Sequence, residues 1–191
     1  MTRRAPIVLA LAGLLAGCQS QYSNLPAYQA PAPTTQTVAA QAALTAPTPN
    51  EALEAVVAPP AGWAAAPIEK TNEHTHQTWV SPSHKTAYGV IHFGLPLPLP
   101  ANWLLGPFVD EMKKREGKAE VVGTPFKDET LPGVRVVVET KQYKMRINLI
   151  VRGWSAWAVY AGTDMAHPEE ASELRQAERA RDTTKVGDQD K

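Results

Sequence analysis

Apolar and polar positions alternate with a period of two along GVRVVVETKQYKMRINLIVRGWSAWAVYAGT, residues 133–163. Successive side chains of a strand point to opposite faces, so this alternation reads as strands. Turns at Lys141-Gln142 and Gly153-Trp154 fold the stretch into two hairpins. Val134, Val136 and Val138 then lie opposite Leu149, Ile147 and Met145; Val151, Leu149 and Ile147 lie opposite Ala156, Ala158 and Tyr160. All are apolar but for one phenol hydroxyl, so two independent hairpins agree on one inner face. Gly153 at the first central position suits a type II′ turn.

The other face is mixed: Arg135, Lys144, Arg146, Asn148 and Arg152 beside Val137, Ile150, Trp157 and Val159. A solvated sheet face is more uniformly polar, so something covers part of it. The expected cover is a C-terminal helix opening at Pro168, with Glu169 and Glu170 in its first turn, and ending near Arg181. Its apolar side, Ala171, Leu174 and Ala177, is thin. That predicts an open interaction surface formed by Trp157, Ile150, Arg135 and Arg146, with a groove beside the helix.

Upstream, Ile68–Asn72, Gln77–Val80 and Ala87–Phe93 read as short strands, with a turn at Ser81-Pro82-Ser83-His84. The alternating prolines of LPLPLPANW forbid a central strand or a helix interior, and Pro100 can open a helix. A helix is expected over Ala101–Arg115, kinked or restarted at Pro107, with Leu104, Phe108 and Met112 as its stripe and Gly117 at its end. The fold class is α+β: an antiparallel sheet with a helix on each face, one domain over residues 62–187, and a disordered tail at 188–191.

Residues 18–61 are a different material. Pro26, Pro31, Pro33, Pro47, Pro49, Pro59 and Pro60 sit among Ala, Gln and Thr, and the only charges are Glu51 and Glu54. Such a composition buries too little apolar surface to offset chain entropy, which predicts a disordered tether, with at most a brief helix at Asn50–Val57 capped by Asn50.

The first 17 residues read as an export signal: Arg3 and Arg4, the apolar run Ile7–Leu15, then small Ala16 and Gly17. The run is shorter than the ~20 residues a membrane-spanning helix needs. Leu15-Ala16-Gly17-Cys18 resembles the lipobox of bacterial lipoproteins. The resemblance implies cleavage before Cys18 and acylation of its thiol and new amino terminus, so the one cysteine of the chain is a lipid-attachment site rather than half of a disulfide. Two or three acyl chains anchor stably where one does not. Gln19 after the cysteine resembles an outer-membrane address, facing the periplasm. Without Arg3 and Arg4 the chain carries 17 basic and 19 acidic side chains, so there is no electrostatic case for nucleic acid.

The order strands, helix, strands, helix resembles the PsbP-like family, which includes photosynthetic extrinsic proteins and Ran-binding relatives. The stretches that carry it are PPAGW, TWVSP, EMKKREG, LPGVRV and AWAVYAGT, from Trp63 to about Lys185. The resemblance implies a binding or assembly module without a cofactor, and it transfers no catalytic residue.

Little else carries chemistry. His74, His76 and His84 are the one metal-like cluster, but zinc requires three or four ligands of fixed geometry and histidines this close are more often surface residues, so no metal is expected. Ser83 and His84 are adjacent, the wrong relation for a nucleophile and its base. Asp110-Glu111 and Asp128-Glu129 read as solvated charge. There is no G-x-S-x-G, H-E-x-x-H or P-loop. The expectation is a non-catalytic envelope lipoprotein that binds a protein partner; the alternative is a small-ligand carrier or hydrolase using the groove beside the last helix.

Overall fold

The computed structural model describes residues 43–116, 119–121, 126–127, 132–139, 142–166 and 171–187. The expected signal peptide, Cys18, the helix opening at Pro168–Glu170, Gly117, Lys141 and the tail at 188–191 lie outside the described residues.

The principal sheet has nine strands, all paired antiparallel. They are β3 (Ala64–Ala65), β4 (Glu69–Lys70), β5 (His74–Val80), β6 (Thr86–Gly94), β7 (Ala119–Val121), β8 (Phe126–Lys127), β9 (Pro132–Glu139), β10 (Tyr143–Arg152) and β11 (Ser155–Asp164). The order across the sheet is β3-β5-β6-β11-β10-β9-β7, with β4 beside β5 and β8 beside β9. A second, three-stranded sheet joins β1 (Thr48–Asn50), β2 (Ala55–Val57) and β12 (Lys185–Val186). Helices α1 (Ala101–Glu116) and α2 (Ala171–Thr183) complete the fold.

The register of the long hairpins is the one the alternation dictates. Met145, Ile147 and Leu149 pair with Val138, Val136 and Val134, and Ile147, Leu149 and Val151 with Tyr160, Ala158 and Ala156. Gly153 has φ of 57° while Trp154 keeps a negative φ, as a type II′ turn requires. These inward residues form one core with Ala101, Leu104, Phe108 and Val109 of α1, which runs unbroken through Pro107.

A second core contains Tyr88, Val90, Ile150, Trp157 and Val159 from the alternate strand positions, with Ala177 and Ala180 of α2. It also contains Leu53, Ala55 and Val57, which corrects the expected tether: residues 43–61 belong to the folded body. The Pro/Ala composition masked a short period-two pattern. Asn50 caps a single 3-10 turn, Glu51–Leu53, by accepting from the Leu53 amide at 3.2 Å. Glu54 then adopts a left-handed conformation with φ of 49°, which ends the turn and starts β2, so no helix reaches Val57. Its carbonyl accepts from the Gly187 amide at 2.8 Å, locking the two ends of the described chain together.

Candidate functional site

The expected interaction surface is not an open patch. Trp157 is 1% exposed and Ile150 7%. The Trp157 indole stacks on His92 with centroids 5.1 Å apart and donates to the Leu53 carbonyl at 2.9 Å. Arg146 is exposed and paired with Glu178 of α2, while Arg135 is exposed on β9. Asn148 donates to Asp182 at 3.3 Å. The thin stripe of α2 is supplemented by residues 43–61, so the two apolar members of the set lie under cover and the two arginines are left outside it.

An open concavity lies instead on the face that packs against α1. That helix contacts β7, β9 and β10, and the sheet end formed by the start of β6, the end of β11 and the start of β10 stays open. There a cavity of ≈480 Å³ is lined by His84, Lys85, Gln142, Tyr143, Met145, Tyr160 and Asp164, among others. Small residues make the room: Ala87 pairs directly with Gly162 across β6 and β11. Tyr160 bounds the cavity because its ring lies against Gly89, where an added Cβ would fall 2.4 Å from ring atoms. The Tyr160 hydroxyl meets Thr78 Oγ1 at 2.6 Å and fixes the ring.

The rim is polar. Lys85 Nζ stands 3.7 Å from Asp164 Oδ2, and the Asp164 amide donates to the Lys85 carbonyl at 2.9 Å. Asp164 Oδ1 also accepts from the Ala166 amide at 2.8 Å, so the carboxylate is held from two sides. His84 takes φ of 62° in a turn closed by its amide donating to the Ser81 carbonyl. Ser83 Oγ accepts from the Lys85 amide and donates to Glu173 of α2 at 2.5 Å. Ser83 is thus spent on holding the turn. An apolar floor with one cation and one anion at its mouth can accept a small molecule with an apolar body and polar ends.

The three histidines are divided. The rings of His74 and His76 are 5.5 Å apart, while His84 stands at the other end of the sheet. Burial lowers the pKa of both His74 and His76; His76 also faces Glu69 at 3.7 Å, which opposes the shift. Among the described residues no group of three or more His, Cys, Asp or Glu is placed to hold a metal. Sequence reasoning set the groove beside α2, whereas the cavity is on the opposite face. Ala87 and Gly162 are small residues at inward strand positions, but so are Ala156 and Ala158, so residue size alone does not mark the place.

No protein-family model matches the chain, and no curated protein does. Among solved structures it is similar to cyanobacterial PsbP (CyanoP) from Synechocystis sp. PCC 6803, at 12% identity and a TM-score of 0.53, over 82% of this chain and 99% of that one. The chain therefore has a PsbP-like fold. A Bacteroides thetaiotaomicron structure aligns at 12% identity and a TM-score of 0.39, over 72% of this chain and 47% of that one.

Proposed function

We propose that the protein is a lipid-anchored envelope module that binds a small ligand without transforming it, and that the cavity beside Lys85 and Asp164 is its seat. Cys18 is the attachment point, the Pro/Ala-rich stretch up to residue 42 is the tether, and the body is a PsbP-like sandwich with α1 on one side of the sheet and α2 on the other. The observation that carries the reading is the cavity: its ≈480 Å³ falls in the range of small-molecule sites, and it joins an apolar floor to a charged mouth. No catalytic constellation is assigned to it. Its lining offers no nucleophile paired with a base: Ser83 lies outside it and is bonded to Glu173. Docking of an envelope protein through Trp157 and Ile150 loses its support, because both are buried.

Native mass spectrometry of the full chain, released gently from its membrane, tests the proposal. A small molecule retained by the parent and lost in Gly162→Leu, which projects bulk into the cavity, is the expected result. A parent free of any adduct, or equal retention in the filled variant, contradicts it.

A further inference from the structure

The end of the sheet opposite the cavity carries three exposed large apolar side chains. Leu97 is 49% exposed, Trp103 67% and Trp154 62%. They come from three places that the fold brings to one pole. Leu97 is in the loop after β6, Trp103 is in the first turn of α1, and Trp154 is in the turn between β10 and β11. Gly94 at the end of β6 pairs with Ser155 at the start of β11, and the Leu95 amide donates to the Trp154 carbonyl at 2.6 Å, tying loop to turn.

Two features of this pole are unlike an ordinary solvated surface. First, it is poor in charge: no Asp, Glu, Lys or Arg occurs from Phe93 to Val109, or from Gly153 to Thr163, and Arg152, which ends β10 beside the turn, lies half-buried against Gly187. The turn between β4 and β5 at the neighbouring edge holds one charge, Glu73, with Lys70 at the end of β4 beside it. Second, its backbone is poor in donors. Pro96, Pro98 and Pro100 have no N–H, and the Leu95 and Trp103 amides are both satisfied, the latter by the Pro100 carbonyl at 2.9 Å. Removing backbone donors and charges from water is what makes burial of a loop costly, and this loop has few of either. Tryptophan is the residue that favours the boundary between headgroups and acyl chains.

We propose that this pole, Leu97, Trp103 and Trp154, dips into the interface of the bilayer that carries the lipid anchor, so that the domain lies docked on the membrane rather than swinging on its tether. The inference rests on the anchoring proposed above. The length of the preceding chain allows it. The chain enters the fold at the other pole, where the Ala61 amide donates to the Ala43 carbonyl and Ala64 pairs with Val80. The tether must therefore run back along the sheet. The longest strands have 10 residues, which is ~33 Å at ~3.3 Å each. Residues 18–42 reach ~75 Å in extended polyproline form, more than twice that span. In this posture the cavity mouth faces away from the membrane.

The test uses the full lipidated chain in vesicles of phosphatidylethanolamine and phosphatidylglycerol, with and without bromine on the acyl chains. Quenching of tryptophan emission by the brominated lipid is expected in the parent and should fall at least two-fold in the Trp103→Phe/Trp154→Phe double variant; the buried Trp79 and Trp157, with the half-buried Trp63 at the other pole, provide the unquenched background. Absent quenching, or the same quenching in the double variant, overturns the proposal. So does a blue shift that grows with protein concentration without vesicles, which assigns the pole to a second copy. Sedimentation of parent and Cys18→Ser chains with the vesicles reads the anchor separately. If the two behave alike, anchoring fails, and quenching at saturating lipid still decides the pole.

Discussion

The indole nitrogen of Trp157 donates to the carbonyl oxygen of Leu53 at 2.9 Å, across 104 positions of sequence. Leu53 is fully buried, and Trp157 stacks on His92 beneath it. This contact makes the segment from residue 43 to 61 a structural lid on the second core. Trp157→Ala should cost about 3–5 kcal/mol, the usual range for deleting a buried aromatic. Trp157→Phe should cost less but still measurably, because it orphans the Leu53 carbonyl. Chemical denaturation with a chain beginning at residue 62 should show the loss of a cooperative transition or a marked fall in its midpoint; an unchanged midpoint would return the segment to the tether.

Gly89 is required by Tyr160. A Cβ at position 89 would lie 2.4 Å from the tyrosine ring, which the Thr78 hydrogen bond holds in place. Gly89→Ala should destabilise by about 1–3 kcal/mol, the range of overpacked cores. In the Tyr160→Ala background that penalty should vanish, which a double-mutant cycle by thermal denaturation reads as coupling between the two sites.

Arg146 and Glu178 form the opposite case. Their ion pair joins β10 to α2 at the surface, with the arginine side chain 44% exposed. Exposed pairs contribute about 0–1 kcal/mol. Arg146→Ala should therefore shift stability by less than Trp157→Phe does, and the shift should shrink further in high salt.

Stability should fall on mild acidification. Burial lowers the pKa of His74, His76 and His92; Glu69 and Glu54 oppose the shift only partly. The folded state thus favours the neutral rings, and below the unfolded value of 6.5 the unfolded chain binds more protons. The histidine contribution is complete above that pH and is lost as pH falls from it through the lowered folded values. Thermal midpoints measured from pH 8 to pH 5 should decline, and His92→Gln should flatten the decline.

Much of the fold was legible because period-two alternation is self-checking. The two hairpins from Pro132 to Asp164 share one inner face, and a slip of one residue would have put Arg146 where Ile147 packs. The helix over Ala101–Glu116 followed from its Pro100 start and its Leu104 and Phe108 stripe. Residues 43–61 were not legible: β2 is three residues long, and its pairing with β12 is made far away in sequence, Ala55 with Val186 and Val56 with Lys185. That omission also misplaced the candidate site. With the second cover missing, Trp157 and Ile150 looked open. The cavity depends on Ala87 of β6 meeting Gly162 of β11, a pairing of distant positions that no local pattern announces.

A chain carried on a membrane by Cys18, with its ligand cavity held above the surface, is tested most directly by the intact mass of the protein purified from membranes. The expected mass is that of residues 18–191 plus two or three acyl chains, and Cys18→Ser should leave the signal segment uncleaved or the chain free of lipid. A parent mass showing an unmodified Cys18, or a cut at any other residue with no acyl addition, would contradict the anchored reading.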